Sequence, residues 1–457
     1  MGLYSFLHGK YSRLKAWHRR HTATRMTRTR RIDRVFPPPS MRVVAMTFDD
    51  GPTAAPARPF SERGITESIL EIMAFFGAHG TFDVIGSTAE NYPDTCGKVG
   101  SSRWSGTRFD HYPEFGKDVL AGAANQKDLL RKVVNAGHEV ANHGFRHLAF
   151  GPERFVYRGR AHFSCIDEVV SDQKRLHDLV VSETGYRMVL GRPPHYIDKI
   201  PDGTDAYAVY ETMGYQYLAA SFDGGGWKPS SGNPRKDVED MIAPLREALE
   251  KDPVSLNGQI IFEKDGYNMS LQAPVVAALP EKLKILKKYG YRVVTVRELL
   301  GYSAFRDLSP RHPAYEAAVA LLQRGVPVAY RDNTVRPDEP CRVSEMLVWL
   351  SQSQSTSSGV LREGGLAQGK SAGTYSPPKG LEKIIPPEEG ILTYRKLNRI
   401  VSELGLPHNS LSQDVRDEPV IRWKAILAAV EILELIPLTE TRYAESTQDP
   451  ARTRISC

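Results

Sequence analysis

From residue 42 onward, short apolar runs rich in β-branched residues alternate with stretches whose apolar positions recur every three to four residues. The runs at 42–48, 81–86, 138–142, 188–192, 215–222, 258–263 and 291–296 are short, apolar and closed by Gly, Pro or Asp, which predicts strands. Between them, 65–76, 127–135, 166–181, 237–249 and 275–289 carry the helical period. A strand–helix order repeated about seven times predicts a parallel α/β barrel with its chemistry at the strand ends. One connection does not fit this rhythm. Residues 93–127 form an irregular stretch holding Trp104, Phe109, Tyr112 and Phe115, longer than barrel connections usually are. It reads as a surface excursion or a lid.

The pattern changes after residue 302. Helices are expected over 313–325 and 344–350, and 351–390 is rich in Ser, Gly and Pro, the composition of a flexible linker. Beyond it, Leu392-Thr393-Tyr394-Arg395 and Val420-Ile421-Arg422-Trp423 each open a further apolar helix. The expected division is an arm over 1–40, a barrel over 41–302, a helical module over 303–350, a linker over 351–390 and a helical tail over 391–457.

Charge sharpens the first boundary. The formal net charge is +6, yet the first 34 residues hold ten Lys or Arg against Asp33 alone, +9, leaving 6 − 9 = −3 for the remainder. The arm is expected to be disordered and solvated, with attraction to an anionic polymer as its functional alternative. The body itself is not basic, so nucleic-acid binding would rest on the arm's charge alone and is not expected. Cys96, Cys165, Cys341 and Cys457 show neither zinc-site spacing nor a disulfide framework. The N-terminus lacks the apolar core of about 7–15 residues that a signal peptide needs, which taken literally points to the cytoplasm, and no segment is long enough to span a bilayer.

Candidate chemistry sits where strands end. Thr47-Phe48-Asp49-Asp50-Gly51-Pro52 places two adjacent carboxylates on rigid backbone before a Gly-Pro turn; one can hold a cation while the other takes a proton from water. The alternative is a solvated turn. In Asn142-His143-Gly144-Phe145-Arg146-His147, two imidazoles four apart follow a strand end and can converge on one ion, with Asp50 completing a His-His-Asp set. His138, at the start of that strand, reads as structural.

These two motifs, in this order, resemble those of the polysaccharide deacetylases, a metal-dependent family acting on chitin-like and peptidoglycan sugars. The likeness spans about residues 42–300. Gly191-Arg192-Pro193-Pro194-His195 resembles a third family motif, with His195 where Tyr is usual. Asp223-Gly224-Gly225-Gly226-Trp227 resembles a fourth, with Gly226 in place of an acid. Gln259-Ile260-Ile261-Phe262-Glu263-Lys264-Asp265-Gly266 resembles a fifth, with Lys264 in place of the catalytic His. The resemblance implies a distorted (β/α)7 barrel, open on one side, with Asp50, His143 and His147 holding Zn²⁺ or another divalent ion such as Co²⁺. It further implies Asp49 as general base, oriented by Arg192, Trp227 walling the acetyl pocket, the backbone near His195 donating to the oxyanion, and Lys264 standing in as proton donor. Residues 303–350, with echoes in the tail, resemble an S-layer homology module, which implies cell-wall polysaccharide as a second partner and an extracellular or wall location.

The function expected is removal of N-acetyl groups from a GlcNAc-containing glycan. Two alternatives remain beside it: a barrel that binds metal and wall glycan with weakened turnover, suggested by Lys264 and Gly226, and an O-deacetylase on acetylated polysaccharide, since ester and amide hydrolysis share one machinery.

Overall fold

The computed structural model describes residues 26–87, 102–104, 107–109, 120–152, 161–352, 390–403, 414 and 416–433. Two compact units emerge, one of residues 29–303 and one of residues 1–28 with 304–457.

The first unit is a curled, parallel sheet covered by helices. Its strands are β1 (Arg31–Ile32), β2 (Val43–Asp49), β3 (Thr81–Val84), β6 (Glu139–Asn142), β7 (Leu190–Gly191), β8 (Gln216–Leu218), β9 (Phe222–Asp223), β10 (Ile260–Lys264) and β11 (Arg292–Val294). A separate hairpin joins β4 (Ser102–Trp104) to β5 (Thr107–Phe109). The sheet runs β1-β8-β7-β6-β3-β2-β10-β9, with β11 also paired to β2. Helices α1 (Ile65–Phe75), α2 (Lys127–Asn135), α3 (Ile166–Thr184), α4 (Ala206–Met213), α5 (Pro234–Lys251), α6 (Val275–Lys288) and α7 (Val296–Tyr302) complete it.

Both faces of β2 are buried, and the pleat sorts them. Val44, Met46 and Phe48 join the large core beneath the helices, whereas Val43 and Ala45 join a smaller cluster with Ile32, Val35, Leu190, Leu218, Ile260 and Val294. Continuing that second face two residues at a time reaches Thr47 and then Asp49, so an apolar interior becomes polar at the strand's carboxyl end. Register does the rest. Lys264 lies opposite Asp49 on one side and Asp83 lies opposite it on the other.

Three details differ from the sequence expectations, and a fourth expectation lies mostly outside the described residues. Arg31 and Ile32 pair with β8, and Ile32 and Val35 are buried, so the barrel begins inside the segment read as a disordered arm. The 215–222 run is two strands, because Ala219 to Ser221 break it. Helix α4 was absent from the expected elements although Asp205 caps it, accepting from Tyr207 N and Ala208 N. Of the 93–127 excursion, only the β4–β5 hairpin backbone and residues 120–127 belong to the described residues, and Tyr112 and Phe115 lie outside them.

The second unit contains α8 (Tyr315–Gln323), α9 (Val343–Gln352), α10 (Tyr394–Glu403) and α11 (Arg422–Ile432). Cys341 N donates to Val420 O, Val420 N to Leu392 O and Leu392 N to Cys341 O, each at 2.8 Å, closing a ring of three bonds. One helix, α9, α10 or α11, starts directly after each member of that ring. Module and tail therefore share one core, which includes Trp349, Leu397 and Ile426. The expected 351–390 linker lies outside the described residues except at its ends. No helix among the described residues is long and apolar enough to cross a membrane.

Candidate active site

The strand ends gather the predicted residues. Asp49 closes β2, and Asp50 follows with a positive φ of 80°. Gly51 comes next, and a Cβ there would sit 1.9 Å from Asp265 Oδ2, so no larger residue fits the turn. His143 and His147 follow β6, and Arg192 follows β7. Lys264 ends β10.

Asp50, His143 and His147 present one donor atom each, all within 4.8 Å of one another, and all three residues are buried. His143 donates from Nδ1 to the carbonyl oxygen of Arg192 at 2.8 Å, which leaves its Nε2 with a lone pair. That Nε2 lies 3.3 Å from Asp50 Oδ1, and His147 Nε2 lies 3.1 Å from the same oxygen. A lone pair and a carboxylate oxygen this close repel each other unless a proton or a cation lies between them. The donor set and its supporting carbonyl fit a divalent ion such as zinc.

Asp49 is held differently. Arg192, fully buried, contacts Asp49 Oδ1 through Nη1 and donates to Thr47 Oγ1 at 3.0 Å, while Nη2 donates to Ala219 O at 3.3 Å. The guanidinium therefore has a fixed plane, and the carboxylate it touches has a fixed direction. Asp49 Oδ2 lies 3.7 Å from His143 Nε2, so Asp49 and the Asp50–His143–His147 trio border the same small space.

Lys264 reaches into this space as well. Its Nζ contacts the second oxygen of Asp50. Burial lowers the Lys264 ammonium to about 8, against the opposing pull of Asp49 and Asp265. Its neighbour Glu263 points the other way, into a buried pair with Lys282 Nζ, which also donates to Gly224 O at 2.9 Å. A Cβ on Gly226 would stand 3.6 Å from Glu263 Oε2, so an acid at 226 would meet this buried carboxylate.

His195 adopts a left-handed conformation, φ 57°, and its ring lies edge-on to that of His147 with centroids 4.8 Å apart. Trp227 is fixed by its indole N–H to Asp223 at 3.0 and 3.1 Å. His138 accepts from Gly80 N at 3.0 Å and packs on His79 and Phe82 away from the ligand trio, as a structural residue should.

Two acids beside the site were not singled out in the sequence. Asp83 has Oδ2 3.0 Å from Arg192 Nη1, but neither oxygen completes a hydrogen bond among the described residues. Burial raises its carboxyl well above the usual range, Arg192 opposes this, and Asp49 adds to it. The signal was an acid inside the apolar strand Thr81-Phe82-Asp83-Val84. Asp172 lies under the His143–His147 loop, on the buried stripe of α3 with Val169, Leu176 and Val180. A charge on an apolar stripe was the signal there.

Residues 37–218 match the family model described as polysaccharide deacetylase. Relatives agree. A peptidoglycan-N-acetylglucosamine deacetylase of Bacillus cereus is 26% identical over 268 residues, covering 58% of this chain and 91% of that protein. The peptidoglycan-N-acetylmuramic acid deacetylase PdaC of Bacillus subtilis is 23% identical, covering 57% of this chain and 39% of that protein. Both relatives are peptidoglycan deacetylases by name. Among solved structures, the chitin deacetylase of the fungal pathogen Colletotrichum lindemuthianum is similar at 20% identity and a TM-score of 0.41, covering 59% of this chain and 91% of the other. A Bacillus anthracis pseudoenzyme is similar at 14% identity and a TM-score of 0.38, covering 59% and 68%.

Proposed function

We propose that this protein is a metal-dependent hydrolase that removes N-acetyl groups from a GlcNAc-containing polysaccharide, with peptidoglycan and chitin-like chains as the substrate class. The observation that carries this reading is the convergence of Asp50, His143 and His147 beside a carboxylate, Asp49, that the buried Arg192 already clamps. The three residues would hold a zinc or cobalt ion, which when bound supplies Lewis acidity toward the amide carbonyl. Asp49 takes the proton from the attacking water, because Arg192, itself braced by Thr47, holds Oδ1 and leaves Oδ2 toward His143. Lys264 is the donor to the departing amine, since it is the buried ammonium facing the same space. Loss of the acetyl group as acetate then leaves a free amine on the sugar.

A second reading has its own observation. The Lys264 ammonium already contacts a ligand oxygen, which favours a barrel that binds metal and wall glycan with weakened turnover. The C-terminal unit would supply contacts to cell-wall polysaccharide in either case, in keeping with the module resemblance of 303–350.

Metal content tests the centre. His143→Ala and His147→Ala should each lose most of the bound divalent ion and all acetate release, since two remaining ligands hold zinc far more weakly. Full metal content in both variants would overturn the assignment.

A further inference from the structure

Two imidazoles carried on one loop converge on an ion only if the loop has a single path. Between His143 and His147 that path starts at Gly144, at φ 88°, which contributes no side chain to stiffen it. The backbone N–H groups show what fixes it instead. His143 N donates to Val84 O at 2.9 Å and Gly144 N to Asn142 Oδ1 at 3.0 Å. The next two go elsewhere. Phe145 N donates to Asp172 Oδ2 at 2.7 Å, and Arg146 N approaches the same oxygen at 3.5 Å. Arg146 Nε donates to Asp172 Oδ1 at 2.8 Å, so both oxygens of one carboxylate grip the loop midway between the imidazoles.

We propose that Asp172 is a positioning residue for the metal centre: anchored on α3, its carboxylate clasps Phe145 and Arg146 and so sets the spacing of His143 and His147. The inference rests on the metal reading of those two residues. The anchor is rigid. Asp172 is 4% exposed and sits on a 19-residue helix among buried Val169, Gln173 and Leu176. The next residue ties the same helix to the strand end, since Asn142 Nδ2 donates to Gln173 O at 2.8 Å. The space between helix and loop is tight, because a Cβ on Gly144 would come within 3.3 Å of Asp172 Oδ2. Burial raises the carboxyl, and Arg146 with the two backbone N–H groups of the loop pulls the other way. A side chain that orients ligands without touching the ion alters metal affinity by roughly 10- to 100-fold when removed.

The test compares the full chain with Asp172→Asn, Asp172→Ala and Arg146→Gln, reading zinc Kd by competition with a chromophoric chelator and the visible band of Co²⁺ at a temperature where every variant is folded by circular dichroism. The Asn variant keeps one acceptor oxygen, and its zinc Kd should rise about 10-fold. The Ala variant should approach 100-fold, and Arg146→Gln should show a rise of several fold. The Co²⁺ band should weaken in the same order. A role confined to stability would lower the melting temperature yet leave Kd and the cobalt band of the folded protein unchanged, and that result in Asp172→Asn would overturn the proposal even if the Ala variant does not fold. Wild-type protein that binds neither zinc nor cobalt would overturn the metal reading itself, a distinct result that removes the present inference with it.

Discussion

Adjacent Asp49 and Asp50 differ in their nearest partners, and the roles proposed for them rest on that difference. Asp50 faces two imidazoles, whereas Asp49 faces a guanidinium. Asp49→Asn should therefore keep its metal and its fold while acetate release falls by at least ~10²-fold, the scale of lost general-base help; joint loss of metal and activity would show the roles to be reversed. Lys264→Met separates the two readings of the site. Removing the ammonium, which shares Asp50 with the ion and repels it, should tighten zinc by about an order of magnitude, since a like charge at ~4 Å from the ion costs between about 1 and 4 kcal/mol. If Lys264 is the donor, turnover falls in the same variant. Unchanged turnover across pH 6–9 would make it a bystander. Asp49, Asp50, His143, His147 and Arg192 were legible because each belongs to a local motif at a strand end. Asp83 and Asp172 were not, because an isolated acid reveals its use only when the fold brings Arg192 or the His143–His147 loop to it.

Strands and helices were legible where their period was unmixed. Helix α2 has the expected bounds, and the β2 pattern led directly to Asp49. The eight-residue α4 was hidden because Ala206-Tyr207-Ala208-Val209-Tyr210 reads as well in a strand as in a helix. Edge strand β1 was hidden by the charge around it. A pH prediction belongs to the β3–β6 junction, where His138 is buried against His79 and Phe82. Burial lowers His138 from 6.5 to about 4, with His79 adding to the effect. The unfolded chain thus binds this proton first, so the contribution is complete above pH 6.5 and is lost as pH falls toward 4, by about 3 kcal/mol in all. His138→Gln should flatten the stability profile over that window in denaturant titrations, and parallel profiles for the two proteins would refute it.

Across the whole molecule, the two units carry separate cores. The hydrogen-bonded ring through Cys341, Leu392 and Val420 was not legible, since it joins segments separated by the 351–390 stretch and only the helices after each segment have a local signal. Arg422 anchors this unit, fully buried against Glu345 and donating to Val335 O at 2.6 Å and Val328 O at 3.1 Å. Arg422→Met leaves the buried Glu345 carboxylate its hydrogen bonds from Tyr330 and Arg342 N but no counter-charge, and should cost about 3–5 kcal/mol in the 304–433 region while zinc affinity stays at the wild-type value; a fall in zinc affinity would tie that region to the metal centre. The central claim is that the strand-end cluster hydrolyses an N-acetyl group with the help of a divalent ion. Its most direct measurement is acetate released by the zinc- or cobalt-loaded full chain from peptidoglycan and from chitin oligomers. Acetate from at least one of them, abolished by chelation and restored by adding the ion back, is the predicted result; no acetate from either glycan with the ion bound at one equivalent would contradict it.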